Sequence, residues 1–225
     1  CCMVENRIAQ NFGAWGLLKY ALPTVCMMLF TSIYTMVDGV FVAQFVSVDA
    51  LSALNIVNPL FSLVMGFGVM LGAGGSAVIA KNVGEGEEQQ AFDNLSTLVF
   101  FGAILGLVLM VLLLVFMEPI LSVLGATEIL MPYCKEYCYY IVGFLAPWVL
   151  DLMFSSYFIT AGKPQIGLIA TLCSGVFNIV GDYVLIVVVG MGIRGAALAT
   201  GLATCIPVVI ALIYFFNKEH SLHFE

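Results

Sequence analysis

Six stretches of this chain run for about 20 residues or more with almost no charge, and an apolar helix of that length spans the hydrocarbon core of a bilayer. They lie near 16–45, 51–80, 92–117, 134–161, 164–189 and 195–216. Residues 50–80, 94–117 and 195–217 hold no charged side chain at all, whereas the fourth run carries Pro147 and Asp151. The chain is 62% hydrophobic and 9% charged. A soluble domain of 225 residues could not hide that much apolar surface, because much of any folded surface faces water. Backbone groups in lipid must be satisfied within each segment, so the runs are read as helices. The expected fold is all-α, a polytopic membrane protein whose six transmembrane helices form one bundle. Short connections at 81–91 and 118–132, and the turn Gly162-Lys163-Pro164, suit antiparallel neighbours.

Other features exclude more than they assign. The net charge of −7 names no partner, since orientation in a membrane follows Lys and Arg placement. No nucleic-acid partner is expected. Cys26, Cys173 and Cys205 sit inside apolar runs, where cysteine behaves as a small hydrophobe. Cys134 and Cys138 have neither redox nor zinc spacing, and His220 and His223 are remote from them. No resident metal or cofactor is expected. The first residues are polar and mixed, without a cleavable signal sequence. A start at Cys1 and an end soon after an apolar run suggest a fragment.

Positive charge sets the expected orientation. With a cytoplasmic N-terminus, Arg7, Lys19, Lys81, Lys163 and Lys218 lie inside, and only Lys135 and Arg194 lie outside. Both termini are then cytoplasmic, in the cell membrane, expected to be a bacterial inner membrane. The first and fifth helices run outward in parallel. Asp38 follows Lys19 at the same interval at which Asp182 follows Lys163, about 28 Å of helix. Thr200 falls about 9 Å below Arg194 on the sixth helix. Asn178 stands one turn before Asp182 on the same face. Three helices thus bring polar groups to one layer in the outer half of the bilayer.

A carboxylate at that depth costs about 2.5–3.5 kcal/mol, and no Lys or Arg shares the layer. A proton or a metal cation must neutralise the pair, since close carboxyls in a dry site cannot both stay charged. Asn178 and Thr200 add neutral oxygens that would suit Na⁺, a hard cation. Asp38, Asn178, Asp182 and Thr200 are therefore the expected cation or proton site. Tyr34, one turn before Asp38, is placed to orient it. Asp151 lies near the midplane, about 15 Å from the cytoplasmic end. For that residue a second relay, a substrate contact and plain satisfaction by a neighbouring helix or water all stand open. Pro23 is read as a hinge that would move Asp38. The glycines of the second and sixth runs read as close helix packing, and Tyr133, Tyr137, Tyr139 and Tyr140 as an interfacial belt.

The same residues carry a resemblance. Pro23 with Asp38, the loop Ala80-Lys81-Asn82-Val83-Gly84-Glu85-Gly86, and Gly162-Lys163-Pro164 followed by Asn178-Ile179-x-x-Asp182 each resemble the multidrug and toxic compound extrusion (MATE) family. So does Gly192-x-x-Gly195-Ala196-Ala197-x-Ala199-Thr200. The resemblance covers nearly the whole chain and implies the N-terminal six-helix lobe, residues 1–225, of a twelve-helix transporter. It implies export of organic cations in exchange for H⁺ or Na⁺ by alternating access, with no enzymatic activity. It also adds the Ala196 backbone carbonyl as a cation ligand. The implied partners are small organic cations, the lipid bilayer and a C-terminal lobe absent from this chain.

Three rivals are weighed against it. An intramembrane aspartyl protease also pairs two acids, but its Gly-x-Gly-Asp motif meets Ile179-Val180-Gly181-Asp182 here, and its Tyr-Asp meets Val37-Asp38. A lipid-linked oligosaccharide flippase of the same superfamily would need basic groups in its cavity for phosphate, and no Lys or Arg lies within the interior of these runs. A non-transporting scaffold would leave the coplanar acids superfluous.

Overall fold

The computed structural model describes residues 14–216 and Leu222, with side chains from Ala21 onward. Arg7, Lys218, His220 and His223 lie outside the described residues, as does the side chain of Lys19. Six helices are long and apolar enough to cross a membrane. They are α1 (Ala14–Phe45), α2 (Val48–Glu85), α3 (Glu88–Val123), α4 (Met131–Thr160), α5 (Pro164–Val188) and α6 (Ile193–Phe216). Among the described residues there is no strand.

The helices outrun the apolar sequence at two places. The expected loop at 81–91 is mostly helix, with α2 running to Glu85 and α3 starting at Glu88. Gly86 makes the break in the left-handed conformation (φ 78°), and its N–H caps the Asn82 and Val83 carbonyls. At the other end, α3 continues to Val123 past the expected stop at 117. Phe116 leaves helical geometry (φ −105°, ψ 17°), just before Pro119, whose ring and missing N–H disturb the preceding turn. Lipid dictates where a helix must be apolar, but backbone hydrogen bonding carries it on into water.

The fourth helix is the centre of the bundle. It packs on α2, α3, α5 and α6, and its Val149, Met153, Phe154, Tyr157 and Phe158 are buried. Glycines let it nest there. A methyl at Gly68, Gly72 or Gly75 of α2 would strike Leu152, Ser156 or Tyr157, and one at Gly102 or Gly106 of α3 would strike Met153 or Ala146. Gly66 and Gly74 face open space, so close packing accounts for one face of α2 only. A 3₁₀ turn at Val142–Phe144 interrupts α4, and Pro147 explains it because it offers Gly143 no N–H. By contrast α1 lies at the edge of the bundle, packed mainly on α5, and runs unbroken through Pro23.

Candidate cation site

The buried stripe of α5 carries a polar side chain at each of three successive turns, Ser174, Asn178 and Asp182. A spacing of four places them on one face, shared with Gly167, Ala170 and Gly175, so they point into the bundle rather than at lipid. Ser174 Oγ donates to the Ala203 carbonyl at 2.8 Å, and Asn178 Nδ2 donates to Thr200 Oγ1 at 3.1 Å. Hydrogen bonds between membrane helices contribute about 0.6 kcal/mol on average, so their value here is register. They hold Thr200 of α6 level with Asn178. Ala196 lies fully buried one turn before Thr200 on α6.

Asp182 is 0% exposed and Asn178 1%. From α1, Asp38 brings its carboxyl within hydrogen-bonding range of the Asp182 carboxyl. As carboxylates, both groups can only accept. Asp38 Oδ1, both Asp182 oxygens and Asn178 Oδ1 are buried with no donor. Among the described residues they are the only buried side-chain N or O atoms left so. A buried acceptor without a donor costs about 1–3 kcal/mol, and more if charged. The ion pairs among the described residues, Lys81–Glu85, Lys135–Glu118 and Arg194–Glu136, all stand at helix ends, out of reach of the acids. What would satisfy this oxygen cluster is a shared proton or a small hard cation.

The close approach of α1 to α5 rests on Gly175, over which the Phe30 and Tyr34 rings lie. Those rings also pack on each other, with centroids 6.1 Å apart. Tyr34 is thereby fixed within electrostatic reach of both Asp38 and Asp151. Sequence reasoning missed Tyr137. It is not part of an interfacial belt but buried in α4, edge-on to Phe61 and within electrostatic reach of Asp38 and Asp182. The buried set Cys134, Tyr137, Cys138 and Ile141 has helical spacing that would have found it. Tyr139, at 69% exposure, does face outward.

Asp151 stands apart from the pair. It lines a crevice between α4, α5 and α6 with Ser155, Thr171 and Pro207. Beyond Asp182, residues Tyr183–Val188 form a π-helical turn, a wider winding that often accompanies functional sites in helices. Nothing in the sequence pattern announces it.

Comparison with known proteins places this geometry in a setting. The MatE family model matches residues 23–184. Multidrug export protein MepA of Staphylococcus haemolyticus (strain JCSC1435) is 29% identical over 212 residues, covering 93% of this chain and 46% of that protein. A crystal structure of MATE in the bent conformation superposes with TM-score 0.85 at 21% identity, over 92% of this chain and 46% of that one. One in the straight conformation gives the same TM-score, identity and coverage. The chain spans about half the length of the curated relatives it matches.

Proposed function

Because the chain belongs to the MatE family, we propose that it is the N-terminal lobe of a cation-coupled exporter of organic cations, and that its acid pair is the coupling site. The family is one of transporters, not enzymes, which sets the protease reading aside. The chain is a multi-pass membrane protein. The observation that carries the proposal is the cluster of four donorless oxygens on Asp38, Asn178 and Asp182. Thr200 holds Asn178 in place, and the Ala196 carbonyl would complete the ligand set.

In this reading H⁺ or Na⁺ enters the cluster from outside and draws α1 against α5. Release of the ion inward lets α1 relax, with Pro23 as the bending point. Organic cation and coupling ion favour different conformations, which is what exchange requires. Each inward charge contributes about 2.3 kcal/mol per 100 mV of membrane potential. A second six-helix lobe related by an axis along the membrane normal would complete the central cavity. The excess of Lys and Arg on one side argues for cytoplasmic termini. The flippase reading is weaker, since both basic residues at the outer end, Lys135 and Arg194, are paired with glutamates.

The test is ethidium efflux from drug-sensitive bacterial cells expressing the full-length protein that contains this chain. At matched expression, Asp38→Asn and Asp182→Asn should each abolish efflux that the parent performs. Unimpaired efflux in both variants would overturn the proposal.

A further inference from the structure

A groove opens where α3 ends and α4 and α6 begin, made of adjoining hollows of about 600 and about 550 Å³. The larger is lined by Lys135, Glu136, Tyr139, Tyr140 and Arg194. The smaller is lined by Glu118, Pro119, Lys135 and Tyr139, with Leu114 and Val115 one turn deeper along α3. Met117, Lys135 and Tyr139 line both, which makes the hollows continuous. Each has the size of a small-ligand site, roughly 300–1,000 Å³. None of these residues belongs to the acid pair or its surroundings.

Charge in the groove is balanced. Lys135 Nζ donates to Glu118 Oε1 at 2.6 Å, joining α4 to α3, and Arg194 Nε donates to Glu136 Oε1, joining α6 to α4. Arg194 also lies within hydrogen-bonding range of Tyr140. Both pairs are open to solvent, and exposed pairs add little stability, so a ligand can share their groups at small cost. Lysine and arginine carry more N–H donors than a single carboxylate oxygen takes, and each carboxylate has a second oxygen. A lone anion in the groove would meet Glu118 and Glu136, and a lone cation would meet Lys135 and Arg194. A zwitterion finds a partner for each of its charges. The setting is that of a membrane interface. Tyr139 is exposed and packs edge-on to Tyr140, with centroids 5.9 Å apart, and such amphipathic rings favour headgroup depth. Descending α3 from the groove, Val115, Val111 and Leu107 share one face at intervals of four, each half exposed or more.

We propose that this groove binds phosphatidylethanolamine from the leaflet at this end of the bundle. Its phosphate lies on Lys135 and Arg194, its ammonium on Glu118 and Glu136, and an acyl chain along Leu107, Val111 and Val115. A primary ammonium donates hydrogen bonds to carboxylates, which the quaternary ammonium of a choline headgroup cannot do. The bound headgroup bridges α3, α4 and α6, helices that the ion pairs link only in twos. Because the groove shares no residue with the acid pair, lipid binding does not depend on the coupling site.

The experiment is lipid binding to the delipidated full-length protein in detergent, read by native mass spectrometry and by the thermal midpoint. The parent should bind phosphatidylethanolamine about tenfold or more tightly than phosphatidylcholine or phosphatidylglycerol, as charge-assisted hydrogen bonds imply, and its midpoint should rise with that lipid. Lys135→Gln with Arg194→Gln, and Glu118→Gln with Glu136→Gln, should each remove the preference. Lys135→Arg with Arg194→Lys, which keeps both charges, should retain it and so separate recognition from folding. Asp38→Asn should retain it as well. A parent without the preference, or a preference undiminished in both glutamine variants, would overturn the proposal. Tighter binding of phosphatidylglycerol would overturn it in favour of an anionic lipid. A midpoint raised as far by soluble glycerophosphoethanolamine would overturn it in favour of a free headgroup. Loss of tetraphenylphosphonium binding in the glutamine variants, with phosphatidylethanolamine retained, would overturn it in favour of an organic cation.

Discussion

A methyl group added at Gly175 would run into the Phe30 and Tyr34 rings of α1. The residue touches neither acid, yet it sets how closely the helix bearing Asp38 approaches the helix bearing Asp182. Replacing glycine by alanine inside a helix gains about 1 kcal/mol in propensity, and overpacking costs about 1–3 kcal/mol. The net is a loss of up to about 2 kcal/mol. Gly175→Ala should therefore lower the thermal midpoint of the detergent-solubilised protein modestly while it moves α1 outward. Ethidium efflux at matched expression should fall toward that of Asp38→Asn. Parental efflux would show that the acids need not meet.

Among the elements, α1 is the one that the proposed mechanism moves. It lies at the edge of the bundle, packs mainly on α5, and contains Pro23 within an unbroken helix. Proline there removes one backbone hydrogen bond, so the turn before it bends more easily than the rest. Pro23→Ala should restore that bond, leave the folded protein at least as stable to heating, and slow efflux. Faster or equal efflux with higher stability would mean that α1 does not bend at Pro23 during transport. The six spans were legible from sequence because lipid imposes both their length and their apolarity. Their ends were less so, since α2 and α3 stay helical to Glu85 and Val123 after the apolar requirement has lapsed. The π turn at Tyr183–Val188 leaves no periodic signature, being a change of winding within an apolar run.

At the scale of the whole molecule, α1, α5 and α6 meet in one polar layer. Asp38, Asn178, Asp182 and Thr200 could be placed in it from residue intervals alone, because a straight helix converts sequence distance into depth. Tyr137 could not be reached that way. Four tyrosines within a short segment read as a belt, and only the helical face that it shares with Cys134, Cys138 and Ile141 separates it from the outward-facing Tyr139. In the proposed function this layer binds a coupling cation that an organic cation must displace, directly or through conformation. The most direct test is equilibrium binding of tetraphenylphosphonium to the purified full-length protein across pH and sodium concentration. Linkage is reciprocal, so an ion that opposes the drug must weaken its binding as the ion's concentration rises. Affinity should fall as pH falls if the ion is H⁺, or as sodium rises if it is Na⁺, and Asp38→Asn and Asp182→Asn should abolish that dependence. An affinity for tetraphenylphosphonium independent of both ions in the parent protein would rule out a coupling cation in this layer.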